Sequence, residues 1–303
     1  MTTEKTIKEG ASCAPDAKLI LVTGATGDTG RPTVKLLLEK GHRVRAMVRK
    51  EDERADALRK LGAEVVVGNF LDLNEIRAAI KGVSTAYFVY PLAAGIVEAS
   101  VIFAQAAKEQ GVEMIANMSH KQSRPYARSP ATRGHWLSEQ VFNWSGVPTA
   151  HLRVTFFAEW LLYIAPLIRK GRYVVPFDAE SRFAPMPASD IARVVVGILE
   201  NPSLHKGKAY QLHGPVEFSH KELAAEVGRV LGKEIKFEQV SVSEFLDMFG
   251  LSEDTAKRNH FTSVLVDQQE GLLSGTDETG TAIIGQPLMT VEDFVMANHA
   301  AFV

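Results

Sequence analysis

Short apolar runs alternate with segments of helical period through the first half of the chain, and most helical segments stop at a glycine. Leu19–Val22 reads as a strand, Thr33–Lys40 as a helix with Pro32 in its first turn and Gly41 past its end, and Arg43–Val48 as a second strand. The alternation continues with helix Asp56–Leu61 closed by Gly62, strand Glu64–Val67, helix Leu73–Ile80 before Gly82 and strand Ala86–Tyr90. Helix Ile96–Gln110 then ends at Gly111 and strand Met114–Met118 follows. A helix from about Ala131 to Ser145 leads through Gly146-Val147-Pro148 into strand His151–Val154. Such repetition marks βαβ units, because a parallel strand can be reached only by a crossover that covers one face of the sheet. The predicted fold is α/β with a doubly wound parallel sheet. Beyond this point the pattern loosens. Phe156–Arg169 reads as one very apolar helix, Tyr173–Val175 as a strand and Ser189–Asn201 as an amphipathic helix. Ser219-His220-Lys221-Glu222 has capping-box spacing, so a helix starts at Ser219 and stops near Gly232, and Thr290-Val291-Glu292-Asp293 opens a last short helix with a looser form of the same device.

Between the first strand and the first helix lies GATGDTG, residues 24–30. Glycine lets backbone N–H groups approach a pyrophosphate, and the helix that follows presents its N-terminus to the negative charge. Gly24, Gly27 and Gly30 have a wider first interval than the G-x-G-x-x-G fingerprint, yet strand, glycines, helix and second strand come in the order a Rossmann dinucleotide site requires. Asp28 is expected either to point to solvent or to cap the helix. The second strand ends in Arg49-Lys50, where an acidic residue would accept from the ribose of NAD, so NADP is favoured and NAD remains possible. The alternative is that the two cations are only the solvated end of a strand beside Glu51-Asp52-Glu53. The expected organisation is a leader over 1–17, a dinucleotide-binding domain over 18–160 completed by parts of 184–215, and a smaller C-terminal α/β substrate lobe within 161–303.

VTGATGDTG (22–30), VRAMVRK (44–50), GNFLD (68–72), SGVPTAHLRVTFFAEWL (145–161) and PMPASDIARV (185–194) resemble the NmrA-like branch of the atypical short-chain dehydrogenases. The resemblance covers most of the chain after the leader. It implies an NAD(P)-binding doubly wound sheet and a reductase of quinones, dyes or plant phenolics, although the branch also holds regulators that bind the cofactor without known turnover. By position it implies that Gly24, Thr26, Gly27, Thr29 and Gly30 hold the pyrophosphate and that Arg49 and Lys50 meet the 2′-phosphate. Asn69 and Phe70 lie near the adenine, while Tyr90, Pro91 and Ser119 border the nicotinamide.

The chain departs from short-chain dehydrogenases at large in lacking Tyr-x-x-x-Lys on the helix after Ser119. His135 stands there at the place where isoflavone-reductase-like relatives carry a catalytic lysine, and Glu139 follows one helical turn later. The expectation is that His135, with Ser119 and Glu139, forms the catalytic group. In this reading the histidine is a general acid titrating near neutrality, its tautomer or pKa set by Glu139. The rival reading makes the His–Glu pair a surface contact. Tyr90, Trp136, Phe157 and Trp160 are expected to line a site for a flat aromatic substrate, although aromatic stripes also serve as core.

At 303 residues, 46% hydrophobic and 23% charged, the composition is globular, and a net charge of −2 carries no nucleic-acid or membrane footprint. Residues 1–17 lack the apolar core of a secretory signal and no segment has the length of a membrane span, so a cytoplasmic monomer or homodimer is expected. The single cysteine, Cys13, falls in the polar leader and reads as incidental. The leading functional expectation is an NAD(P)H-dependent oxidoreductase acting on an aromatic, quinone-like or conjugated small molecule in natural-product tailoring or detoxification. The alternative is a non-catalytic NADP-sensing regulator.

Overall fold

The structure, a computed structural model, describes residues 18–91 and 93–303, so the leader and Cys13 lie outside the described residues. The first half runs β1 (Leu19–Val22), α1 (Gly30–Glu39), β2 (Arg43–Val48), α2 (Glu53–Lys60), β3 (Glu64–Val67), α3 (Leu73–Ile80), β4 (Thr85–Phe88), α4 (Ile96–Gln110), β5 (Met114–His120), α5 (Pro130–Ser145) and β6 (Thr149–Val154). The second half continues with α6 (Trp160–Tyr163), α7 (Ala165–Ile168), β7 (Arg172–Val175), β8 (Arg182–Phe183), α8 (Ala188–Glu200), α9 (Pro202–His205), β9 (Ala209–Leu212), β10 (Phe218–Ser219) and α10 (His220–Leu231). The chain closes with β11 (Lys236–Gln239), α11 (Val242–Met248), α12 (Thr255–Gln269), α13 (Thr279–Ile284) and α14 (Val291–Ala297) before a short 3-10 turn.

Seven strands form one parallel sheet in the order β3-β2-β1-β4-β5-β6-β9. Alternation along β1 divides the core between its faces: Ile20 and Val22 pack with Val34, Leu37, Ile191 and Val195, whereas Leu19 and Leu21 pack with Ile76, Phe103 and Phe142. Helix α8 and strand β9 therefore belong to the main sheet. A second core gathers Leu161, Tyr173, Phe177, Phe183, Leu246, Val295 and Phe302, beside the small sheets β7-β11 and β8-β10.

Several boundaries differ from the sequence pattern for local reasons. Helix α2 starts at Glu53 because the Asp52 side chain accepts from the N–H groups of Arg54 and Ala55. Strand β5 runs on to His120 because β6 pairs with it through Ser119↔Arg153 and His120↔Val154. The expected helix Phe156–Arg169 is instead an isolated bridge, Phe157↔Met186, followed by the two single turns α6 and α7. Pro166 supplies the break, since it has no N–H to donate and its ring crowds the carbonyl four residues back. Both expected capping boxes form, at Ser219–Glu222 and Thr290–Asp293, and Ser241–Glu244 adds a third. No helix among the described residues is long and apolar enough to cross a membrane.

Candidate active site at the carboxyl ends of the strands

Gly24, Thr26, Gly27, Thr29 and Gly30 make the turn from β1 into α1. Gly24 holds φ +53°, where a Cβ would stand 2.9 Å from Val89 Cγ1, and a Cβ on Gly30 would come within 2.2 Å of the Gly24 carbonyl oxygen. Both positions must be glycine for the loop to fold on itself, with the Gly27 N–H donating to the Gly24 carbonyl at 2.9 Å. The N–H groups of Thr26, Asp28 and Thr29 have no acceptor among the described residues, and no side chain caps α1. Unpaired donors at a helix start suit an anion. Thr29 contributes only its backbone there, because its hydroxyl turns inward to Tyr87 Oη at 2.9 Å. Asp28 does not cap the helix; it is exposed, as the other expectation had it, and accepts from the Tyr163 hydroxyl of α6 at 2.6 Å.

Arg49 and Lys50, past the end of β2, are exposed and make no hydrogen bond or ion pair with any described residue. The acids that follow are already occupied, Glu51 by Arg59 at 2.6 Å and Asp52 by Arg54 at 2.7 Å. The two cations are thus not neutralised by the neighbouring acidic run. Past β3, Asn69 Oδ1 accepts from the Leu71 N–H, and its NH2 group has no partner among the described residues. Phe70 packs edge-on against Phe88 and Tyr90 at 5.5 and 5.2 Å. Tyr90 donates to the Ala94 carbonyl at 2.7 Å, and Pro91 beside it is exposed. All these groups sit at carboxyl ends of β1 to β4, on both sides of the β1/β4 boundary where the strand order reverses, which is where doubly wound sheets bind ligands.

Across that boundary Ser119 is 1% exposed and donates to Glu139 Oε1 at 2.5 Å, with Ser123 Oγ 2.9 Å away. Glu139, also 1% exposed, accepts from Arg153 Nε at 3.0 Å and Nη2 at 2.6 Å. The carboxylate expected to orient His135 is therefore committed to Arg153. His135 Nδ1 is buried without a partner among the described residues, and its ring centroid lies 6.0 Å from that of His120. Burial lowers the His135 pKa to about 4, outweighing the opposing charge of Glu139, and lowers that of His120 to about 3. His135 is neutral at pH 7, which corrects the expectation of a titration near neutrality. Asp267 of α12 closes this seam, accepting from Thr132 Oγ1 at 2.6 Å, and burial pushes its carboxyl above the usual range. No group of three or more His, Cys, Asp or Glu among the described residues could hold a metal ion.

The model of the NmrA-like family matches residues 16–271. The chain belongs to the NmrA-like family. It is 29% identical over 288 residues to an NAD(P)H azoreductase of Xenophilus azovorans, covering 94% of this chain and 99% of the relative. It is 28% identical over 285 residues to the (4-alkanoyl-5-oxo-2,5-dihydrofuran-3-yl)methyl phosphate reductase of Streptomyces griseus, covering 94% and 99%. In fold it is similar to an NADPH-dependent quinone oxidoreductase of Escherichia coli solved with NADPH, with a TM-score of 0.80, 24% identity and coverage of 92% and 99%.

In this NmrA-like chain the four expected aromatic residues do not form one wall. Trp160 is half-buried against the second core, where it stacks on Phe245 at 5.6 Å and meets Phe261 edge-on at 5.5 Å. Phe157 packs against the main core, Tyr90 sits with Phe70, and Trp136 is half-buried on α5 with no ring partner among the described residues. The residue that sequence reasoning missed is Arg153. Its signal was a charge inside the otherwise apolar strand pattern His151-Leu152-Arg153-Val154, which requires a partner on one face of the sheet. Arg153 also lines a cavity of about 270 Å³ together with Lys121 and Ser123. Lys121 donates to the Leu273 carbonyl at 2.7 Å and to the Ser274 carbonyl, lies 3.0 Å from His213 Nδ1, and has its pKa lowered by burial to about 8.

Proposed function

We propose that this NmrA-like protein is an NAD(P)H-dependent oxidoreductase that prefers NADPH and passes hydride to an aromatic, quinone-like or otherwise conjugated small molecule. The observation that carries the reading is the pairing of a turn that admits no Cβ at Gly24 or Gly30 with the unneutralised cations Arg49 and Lys50 at the next strand end. The names of the two reductases similar to it over nearly their whole length support an enzyme, and the NADPH bound to the quinone oxidoreductase supports the cofactor. NADPH supplies the hydride when bound. The backbone of 24–30 holds the pyrophosphate, Arg49 and Lys50 take the 2′-phosphate, Asn69 and Phe70 meet the adenine, and Tyr90 and Pro91 flank the nicotinamide. His135 acts as a neutral imidazole that hydrogen-bonds the acceptor's oxygen or nitrogen. Ser119 and Glu139 are positioning residues that hold Arg153. Tyr90 and Trp136 remain the rings available for stacking, since Trp160 is committed to the second core.

The test is loss of NADPH absorbance with a panel of quinones, azo compounds and polycyclic phenols. Turnover of any conjugated acceptor in proportion to enzyme supports the proposal. Tight NADPH binding with no acceptor turned over overturns it and leaves the sensor reading.

A further inference from the structure

The cavity at the carboxyl ends of β5, β6 and β9 has a one-sided lining. Three cations, Lys121, Arg124 and Arg153, share it with Gln122, Ser123 and Gln211, and no carboxylate lines it. The acids that pair with the arginines, Glu139 and Glu270, are not on its wall, and Glu139 is 1% exposed. Those pairs fix the guanidinium groups in place. Arg153 spends Nε and Nη2 on Glu139, and its Nη1 group has no acceptor among the described residues. Gln211 makes no side-chain hydrogen bond among the described residues, and its Oε1 is buried. A half-buried amide whose Oε1 has no partner, paired across the strands with a guanidinium whose Nη1 is uncommitted, is a polar site open to a ligand, since leaving such groups unpaired is unfavourable. The amide can turn to offer its NH2 group, so both contribute donors to one anion. Burial lowers the Lys121 pKa to about 8 against the opposing charges of Glu217 and Asp277, and its three donors are spent on the Leu273 and Ser274 carbonyls and His213 Nδ1, so it brings charge to the site and not a new hydrogen bond.

We propose that this cavity receives an anionic group, a carboxylate, sulfonate or phosphate, carried by the conjugated substrate, hydrogen-bonded by Arg153 and Gln211 and attracted by the charge of Lys121. The proposal rests on the oxidoreductase reading for the rest of that substrate. Ser119 lies 2.9 Å from Ser123 of the cavity wall, so the reacting part sits towards β4 and β5 and the anionic part towards β9.

The test is calorimetry on the NADP-loaded protein with 1-naphthoate, 1-naphthalenesulfonate and their neutral isostere 1-naphthamide, with inorganic phosphate as a free-anion probe. Charge-assisted hydrogen bonds in a partly dehydrated site should make both anions bind about tenfold more tightly than the amide. Lys121→Met and Gln211→Leu should each reduce that ratio severalfold, and Lys121→Arg should restore most of it. Circular dichroism confirms that the variants fold, and the two substitutions are independent, so failure of one to fold leaves the other informative. Phosphate alone should compete with 1-naphthoate but not with 1-naphthamide. Equal affinity for the anions and the amide, or a preference that survives both substitutions, overturns the proposal. An anion preference without turnover of any acceptor would refute the oxidoreductase reading and leave the subsite standing, and turnover without preference would do the reverse.

Discussion

Replacing Glu139 by alanine separates structure from chemistry at the carboxylate one helical turn from His135. Glu139 is 1% exposed and accepts three hydrogen bonds, two from Arg153 and one from Ser119. Removing one member of a fully buried ion pair costs about 3–5 kcal/mol, because the remaining charge has no compensation. Arg153 keeps 24% of its side chain exposed and can be partly rehydrated, which places the loss near the lower end, about 3 kcal/mol. With roughly 2.1 cal/mol/K of unfolding entropy per residue over 303 residues, that lowers Tm by about 5 °C. Glu139→Gln, which still accepts from Arg153 without the charge, should lose about half as much. The assay is thermal unfolding by circular dichroism, alongside kcat measured well below the transition, where the folded variant should keep its activity within about tenfold. An unchanged Tm together with a hundredfold or greater loss of kcat would refute the positioning role and make Glu139 a chemical group.

Because His135 is neutral, kcat should stay flat between about pH 6 and 8, and His135→Gln should keep more activity than His135→Ala, which should lose about a hundredfold; a fall in kcat near pH 7 that vanishes in His135→Gln would contradict this. Gly30→Ala should weaken NADPH binding more than tenfold with the far-UV spectrum intact, since its Cβ would lie 2.2 Å from the Gly24 carbonyl oxygen, whereas Gly27→Ala, at 3.2 Å, should be milder; equal effects would show that the turn is looser than described. Acid should destabilise the protein through the buried His220 and the half-buried His120 and His135: His120, held near about 3, and His135 and His220, held near about 4, bind protons less readily folded than unfolded. Their contribution is intact above about pH 6.5 and is lost as pH falls towards about 4, so urea midpoints should drop across that window, and a flat profile would contradict the burial.

The parts legible in the sequence are those whose constraints are local. Gly24 and Gly30 are demanded by the turn between them, Ser219 and Glu222 by a helix start, and the parallel sheet follows from βαβ repetition. The Arg49-Lys50 reading was local too, although only the structure shows that Glu51 and Asp52 are spent on other arginines. What stayed hidden depends on residues brought together by packing. Arg153 and Glu139 meet across a helix and a strand, and nothing in the periodicity says that a charge on α5 is buried. The His135 titration fails for the same reason, since its pKa follows from the surroundings of the ring and not from the carboxylate one turn away. Within Phe156–Arg169 the break was legible at Pro166, which the apolar run outweighed in the reading, whereas the packing of Trp160 against a second core depends on residues distant in sequence.

Paired calorimetric titrations with NADPH and NADH, in the unaltered protein and in Arg49→Ala, address the central claim that the β1/β4 boundary is an NADPH site. An unneutralised guanidinium on the 2′-phosphate should make NADPH bind about ten- to a hundredfold more tightly, a preference that should fall to within a few-fold in Arg49→Ala while NADH affinity barely changes. Equal or tighter binding of NADH in the unaltered protein would contradict the account.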